Sequence, residues 1–278
     1  MTTPIMYYGG KTSLLHHILP IIPRHKVYTE VFFGGGAVFW AKQPVANETI
    51  NDQLDYVVNF YEVLKRNFPA LKKEIDTTLL SRTHHRKALK IIRSGSMDTV
   101  QLAWAFWMTA NFSFSNKIGG GMKYSNDQNT VSPDTLRNKK DAFTELLVRR
   151  IESAYIENKD ALQVLESRNV AHAFHFIDPP YMNADQGHYA GYTEQQFCDL
   201  LQWLETCKGK FLLSNYPSDI LQEFIQKNGW HTKVITARRR APRQRMKAKS
   251  EVLIANFPLV PEGQLSFDPL ELNHFSHA

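Results

Sequence analysis

The stretch Ala173-Phe174-His175-Phe176-Ile177-Asp178-Pro179-Pro180-Tyr181 decides how this chain is read. Its first five residues are an apolar run of strand length closed by a turn signal, the pattern of a buried strand. Two prolines stop the ladder, because neither has an N–H to donate and each ring fixes φ. The acid and the phenol are thus presented just beyond a strand's carboxyl end, where ligands bind in open α/β sheets. An aspartate and the carbonyl between two prolines only accept hydrogen bonds, and a tyrosine ring beside them is a stacking surface. That set suits a planar group with an amino donor. Asp-Pro-Pro is also an ordinary turn after a strand, and the rest of the chain has to separate the two readings.

Length and composition set the bounds. A chain of 278 residues suits one large α/β domain or a core with an insertion. With 17 Phe, 11 Tyr and 5 Trp there is ample core material. No apolar run reaches the ~18 residues of a membrane helix, and Met1-Thr2-Thr3-Pro4-Ile5-Met6 lacks the basic and apolar parts of a signal peptide. Cys198 and Cys207 are the only cysteines, too few for a disulfide framework or a cysteine metal site. No metal is expected, and the expected location is the cytoplasm. The net charge of +6 is concentrated: the run RRRAPRQRMKAK at 238–249 contains only basic charges. Such a segment suits a polyanion; the plainer reading is a solvated loop.

Outward from the central strand, Val27–Phe32 reads as a second strand by its β-branched and aromatic content. Phe33-Gly34-Gly35-Gly36 follows, then a helix over Ala37–Lys42. Strand, glycine turn and helix make a nucleotide-binding turn, since glycine lets a ligand approach the backbone. A dinucleotide fingerprint would require a third glycine where Phe39 stands, which disfavours a nicotinamide enzyme. Val45–Ile50 reads as another strand, ending at Asn51-Asp52. Asp52 falls about 20 residues after Glu30, the offset at which an acid meets ribose hydroxyls in nucleotide folds; Asn51 or Asp52 could equally cap the next helix. That helix is marked by Leu54, Val57, Val58, Tyr61, Leu64, Phe68 and Leu71. At the N-terminus, Tyr7-Tyr8-Gly9-Gly10-Lys11-Thr12-Ser13 is a glycine loop entering a helix, with Ser13 or Thr12 as candidate cap. It is no P-loop, because Ile5 occupies the place of the first glycine.

Between about 77 and 148 the pattern changes, and we read a mostly helical insertion. Residues 100–114 form a buried helix whose Trp and Phe belong to the core. His84-His85 is expected to be a surface pair. Residues 115–135 form a Gly/Asn/Ser-rich loop carrying Lys117, Lys123 and Tyr124, and 136–148 are helical again. Strand-like alternation resumes at 151–157, followed by Asp160 and a short helix at 161–168. A helix at 193–207 capped by Thr193, a strand at 210–215, a helix at about 218–228 and strands at 230–237 and 250–257 complete the pattern. Strands alternating with helices predict an α/β fold: a mainly parallel twisted sheet with helices on both faces and a C-terminal antiparallel hairpin. The expected organisation is a discontinuous core, 1–76 and 149–257, the insertion 77–148, and a tail, 258–278.

With these pieces placed, the sequence resembles the Dam-like, alpha-order DNA adenine-N6 methyltransferases through most of the chain outside the insertion. Tyr7-Tyr8-Gly9-Gly10-Lys11 is similar to that family's opening motif, Glu30 through Gly36 to its cofactor loop and Asn51-Asp52 to its ribose-binding acid. Asp178-Pro179-Pro180-Tyr181 matches its catalytic tetrapeptide, and Leu213-Ser214-Asn215 its next strand end. The resemblance implies a Rossmann-like methyltransferase. It also implies S-adenosylmethionine contacts at Tyr7, Lys11, Glu30, Phe32, Gly34, Gly36, Asp52 and Asp178, with Asp160 near the cofactor adenine. The insertion then corresponds to a target-recognition domain. Lys117, Lys123, Arg238, Arg239, Arg240, Arg243, Arg245 and Lys247 are the candidate DNA contacts. A monomer of bacterial or phage origin acting on double-stranded DNA is expected, with a cognate restriction endonuclease as a further partner. The cofactor loop departs from the family in Phe33 and three successive glycines.

The residues fit this chemistry on their own terms. Adenine N6 is a poor nucleophile because its lone pair is delocalised. Asp178 and the Pro179 carbonyl, accepting both N–H bonds, favour a pyramidal nitrogen whose lone pair faces the methyl, and they stabilise its developing charge. Tyr181 stacks on a base flipped from the duplex. Methylation of cytosine N4 or of an RNA adenine, and an inactive DNA-binding protein on the same fold, remain the alternatives.

Overall fold

The computed structural model describes residues 1–124, 133–181, 192–236 and 250–261. The basic run expected to hold phosphates, Arg238 to Lys247, and most of the C-terminal tail lie outside the described residues. In chain order the elements are α1 (Leu15–Ile18), β1 (Val27–Glu30), α2 (Ala37–Ala41), β2 (Asn47–Asn51), α3 (Asp55–Arg66), α4 (Phe68–Asp76), α5 (Arg82–Ser94), α6 (Thr99–Phe112), α7 (Pro133–Asp141), α8 (Glu145–Glu152), β3 (Ala154–Glu157), α9 (Ala161–Ser167), β4 (Ala173–Ile177), α10 (Glu194–Glu205), β5 (Lys210–Asn215), α11 (Asp219–Asn228), β6 (His231–Thr236) and β7 (Ser250–Ala255). Short 3-10 turns occupy Lys11–Leu14, Leu19–Ile21 and Phe114–Asn116.

The strands form one sheet in the order β3-β2-β1-β4-β5-β7-β6. The pairings from β3 through to β5 are parallel, and β7 runs antiparallel to both β5 and β6. The expected mainly parallel sheet with a C-terminal hairpin is therefore present. Central strands β1 and β4 are buried at every position, as the continuous character of their sequences requires when both faces are covered. From β1 the chain works outward to β2 and β3, then crosses back to β4 on the other side of β1. This reversal opens a crevice beyond the carboxyl ends of β1 and β4.

Alternation along the strands divides the core. Phe174, Phe176, Leu212 and Leu253 face one layer with α2, α3 and α6, while Ile177, Phe211, Leu213 and Ile254 face the other with α9, α10 and α11. α6 is buried on all sides from Ala103 to Phe112, as its sequence predicts, and packs against α3, α4 and α5. The middle helices thus share the hydrophobic cluster of the sheet. The buried Glu48 of β2 binds Lys42 after α2 and Arg150 of α8, fastening the return from these helices to the core.

Some local expectations are corrected. The single helix expected from Leu54 to Leu71 is two, broken at Asn67, with Pro69 in the first turn of α4, where its missing N–H breaks no helical bond. The strand expected at 151–157 begins at Ala154, because Ile151 and Glu152 end α8. Neither Thr12 nor Ser13 caps the N-terminal helix: the chain enters from Gly10 through the 3-10 turn with no side-chain cap. His84-His85 is not a surface pair. His85 is 2% exposed, with Nε2 2.8 Å from Ser113 Oγ.

Candidate active site

Lys11 forms the centre of a charged cluster beyond β4 and β5. The Tyr7–Gly10 turn, closed by Gly10 N–H donating to Tyr7 O at 3.0 Å, delivers Lys11 inward. Its ammonium, 4% exposed, lies 2.6 Å from each carboxylate oxygen of Asp178 and 3.1 Å from Glu251, and donates to Gly9 O at 2.9 Å. The Tyr181 hydroxyl donates to Glu251 at 2.5 Å and lies 3.3 Å from Asp178. Ser214, at the end of β5, donates to Glu251 at 2.7 Å. The Tyr216 ring packs 4.2 Å from that of Tyr181, centroid to centroid.

Charge balance follows from this geometry. Burial acts to lower Lys11, but Asp178 and Glu251 outweigh it and hold the ammonium above its usual range. Burial pushes Asp178 up to about 6, Lys11 opposing and Glu251 adding to the rise. Burial, with both carboxylates, pushes the Tyr181 phenol well above its usual range. At neutral pH Asp178 is a carboxylate, more basic than a free one and anchored by a buried cation. Such a group is a strong acceptor for an N–H bond.

The second part of the site lies beyond β1 and β2. Gly34 has φ +46° and Gly36 φ +60°, a region that L residues with side chains seldom occupy. A Cβ on Gly34 would lie 2.7 Å from the Tyr7 ring, so the glycine lets the opening motif press against the loop. Tyr61 donates its hydroxyl to Gly34 O at 2.8 Å. Asp52 accepts Gly34 N–H at 2.8 Å on Oδ2 and Leu54 N–H at 3.0 Å on Oδ1. It is 7% exposed, and burial lifts it to about 6 against the N–H groups of Leu54, Gly34 and Gln53. It therefore ties the glycine loop to the entry of α3, whose own N-cap, Leu54, makes no side-chain cap. A carboxylate has about four acceptor sites, more than these N–H groups occupy, so capacity remains for another donor.

The other expected residues divide. Phe32 packs edge-on to Tyr192 at 5.8 Å. Glu30 is 3% exposed, and its Oε2 accepts the Tyr28 hydroxyl at 2.7 Å and Phe39 N–H at 3.1 Å, pinning α2 to the end of β1. Burial lifts it to about 8, against the Tyr28 hydroxyl and Phe39 N–H. Asp160 caps α9 through Leu162 N–H at 2.9 Å and accepts from Gln53 at 3.3 Å. Lys117 lies 5.1 Å over the Tyr8 ring, which sets the Phe114–Tyr124 segment beside the opening motif. Lys123 donates to Asn111 O at 3.1 Å and to Asn116, so its ammonium braces that segment.

Two participants were not picked out from sequence. Glu251 is one; its signal was an acid sharing a strand face with Leu253 and Ala255. Tyr216 is another. Asn51, named from sequence beside Asp52, donates to Val31 O at 3.0 Å and Lys159 O at 3.1 Å and accepts Lys159 N–H at 2.9 Å, joining three strand ends.

Among the described residues no helix is long and apolar enough to cross a membrane. A model of the D12 class N6 adenine-specific DNA methyltransferase family matches residues 7–239. Among curated proteins, the Type II methyltransferase M1.LlaDCHI of Lactococcus lactis subsp. cremoris is 24% identical over 270 residues, covering 90% of this chain and 93% of that protein.

Proposed function

The chain belongs to the D12 class N6 adenine-specific DNA methyltransferases, and on that premise we propose that it methylates N6 of an adenine flipped out of double-stranded DNA, using S-adenosylmethionine. The observation that carries this reading is the Asp178 carboxylate, anchored by Lys11 at 2.6 Å beyond the central strand.

The cofactor supplies a methyl already activated on a sulfonium. The residues present fit it: Asp52 has acceptor capacity left for ribose hydroxyls, and the Gly34 loop gives close backbone approach beside Tyr7. Glu30 and Gly36 support that loop from behind, and Phe32 and Asp160 flank it. Asp178 and the Pro179 carbonyl accept the two N–H bonds of the adenine amino group. They direct its lone pair outward and stabilise the positive charge that develops on nitrogen. Pro180 keeps the tetrapeptide extended, and Tyr181 stacks on the extruded base, offsetting an unstacking cost of a few kcal/mol.

For the remaining surface, we assign residues 77–148 to target recognition, with Lys117 beside the opening motif, and 238–249 to the phosphates. A cognate restriction endonuclease fits the likeness to the Lactococcus Type II methyltransferase. The test is incubation with tritiated S-adenosylmethionine and unmethylated DNA, followed by nucleoside analysis. Label in N6-methyladenine supports the reading, and label in N4-methylcytosine or none at all contradicts it.

A further inference from the structure

We propose that Glu251 is a positioning residue of the transfer step: it retains Lys11 and Tyr181 while Asp178 turns its carboxylate to the incoming amino group. The inference rests on the methyl-transfer reading given above.

The argument starts from Lys11. An ammonium has three donors, and these meet Gly9 O, Asp178 and Glu251. Both Asp178 oxygens lie against the ammonium at 2.6 Å. An amino group that binds Asp178 and gains positive charge competes with Lys11 for those oxygens. At 4% exposure Lys11 has almost no water to fall back on, and a buried ammonium deprived of its counter-charge is strongly unfavourable. Glu251, already 3.1 Å away, is the second carboxylate that keeps it paired.

Glu251 also fixes the stacking side chain. The Tyr181 hydroxyl donates to it at 2.5 Å, so the ring is held at its far end as well as through the backbone after Pro180. Ser214 donates to the same oxygen at 2.7 Å and locks the carboxylate in turn. Strand direction explains how an acid from the far end of the chain arrives here. β7 runs against β5, pairing Leu253 with Ser214 and Val252 with Asn215, so its first residues lie at the carboxyl ends of the parallel strands. A parallel strand in that place would put its end, not its start, in the crevice.

The site thus holds one buried cation between two carboxylates, an arrangement that favours additional positive charge. The groups that face Asp178 are Lys11 from the opening motif, Tyr181 from its own turn and Glu251 from β7, with Tyr216 from the end of β5 behind Tyr181 and Glu30 of β1 near enough to act on its charge. Removing the Glu251 charge leaves Lys11 to act on Asp178 alone, which makes Asp178 less basic.

The test uses the full chain and Glu251→Gln, which keeps the shape and one acceptor oxygen for Tyr181 and Ser214. We expect single-turnover methylation at saturating DNA and cofactor to fall tenfold or more, with DNA affinity within twofold of wild type. The acidic limb of its pH profile should move to lower pH, and Glu251→Asp should recover part of the rate. A merely structural role would not move the pH limb. Wild-type rate and an unmoved limb in Glu251→Gln would overturn the proposal. Should that variant fail to fold, Ser214→Ala loosens Glu251 and keeps its charge; a severalfold loss of rate at unchanged DNA affinity supports the proposal, and an unchanged rate overturns it. A wild-type protein that methylates no adenine instead overturns the reading on which this inference rests.

Discussion

Lys11 and Asp178 stand 167 positions apart in sequence and meet at 2.6 Å at the carboxyl end of β4. The opening motif and the central tetrapeptide are therefore one unit, joined by a buried ion pair. The sheet makes this possible, because the reversal between β1 and β4 leaves a crevice into which both segments project.

Replacing Asp178 by Ala removes an acceptor whose bonds strengthen as charge develops on nitrogen. Preorganised groups of this kind contribute about 2.7–4 kcal/mol. Single-turnover methylation should fall by a factor on the order of 10² to 10³ or more, while gel-shift affinity for DNA persists. A variant that retains wild-type turnover would remove Asp178 from the chemistry.

The same carboxylate sets a pH dependence. Its folded pKa is raised to about 6 from an ordinary value near 4. It must be ionised to accept the amino group, so the transfer rate at saturating cofactor should rise with pH through about 6 and then level off. For stability the sign is opposite. A raised folded value favours the protonated form, so this contribution is fully present below the unfolded pKa and is lost as pH rises through about 6. A rate flat between pH 5 and 8 would contradict the assignment.

Asp52 is expected to act through cofactor affinity. Asp52→Ala removes hydrogen bonds to a charged group, about 1.5–3 kcal/mol, and also releases Gly34 N–H and Leu54 N–H. Calorimetry should show S-adenosylmethionine binding weakened by roughly that amount, with less loss for Asp52→Asn. Equal affinity in wild type and the alanine variant would place the cofactor elsewhere.

Gly34→Ala should damage the fold and the site together. Its φ of +46° disfavours a side chain, and the added Cβ would meet the Tyr7 ring at 2.7 Å. Left-handed backbone costs about 1–2 kcal/mol, and overpacking roughly 1–3. We expect a melting temperature lowered by about 5 °C or more and weaker cofactor binding; unchanged melting would show that the loop relaxes freely.

Neutralising Arg239, Arg240 and Arg243 together should weaken binding to all DNA sequences alike. The slope of log affinity against log salt should flatten by about one for each charge removed. Exchange of residues 115–135 should instead change which site is methylated. A sequence-dependent loss from the arginine variant would assign those residues to base reading.

The sheet was legible because its strands are short apolar runs ended by glycine, proline or Asn-Asp, and the strand ends mark the crevice. Asp178 and Asp52 could be placed at those ends from pattern alone. The partners they take could not. Glu251 is invisible until one knows that β7 is inserted antiparallel beside β5, which decides which end of the strand meets the site. The resemblance made Glu30 a cofactor contact; what pattern could not show is that its Oε2 accepts from the Tyr28 hydroxyl and Phe39 N–H. Lys123 was a candidate DNA contact, and its bond to Asn111 O could not be foreseen from the loop's composition. In each case the deciding fact is side-chain direction, which tertiary packing sets. The break between α3 and α4 was signalled locally by Pro69, but the apolar period continues across it and masks the signal.

The most direct test of the central claim is mass spectrometry of nucleosides from unmethylated DNA treated in parallel with wild type and Asp178→Ala, each with S-adenosylmethionine. The account predicts N6-methyladenine from the wild type and, at equal time, about a hundredfold less or lower from the variant. Equal N6-methyladenine from both proteins, N4-methylcytosine, or no methylated base from the wild type would contradict it.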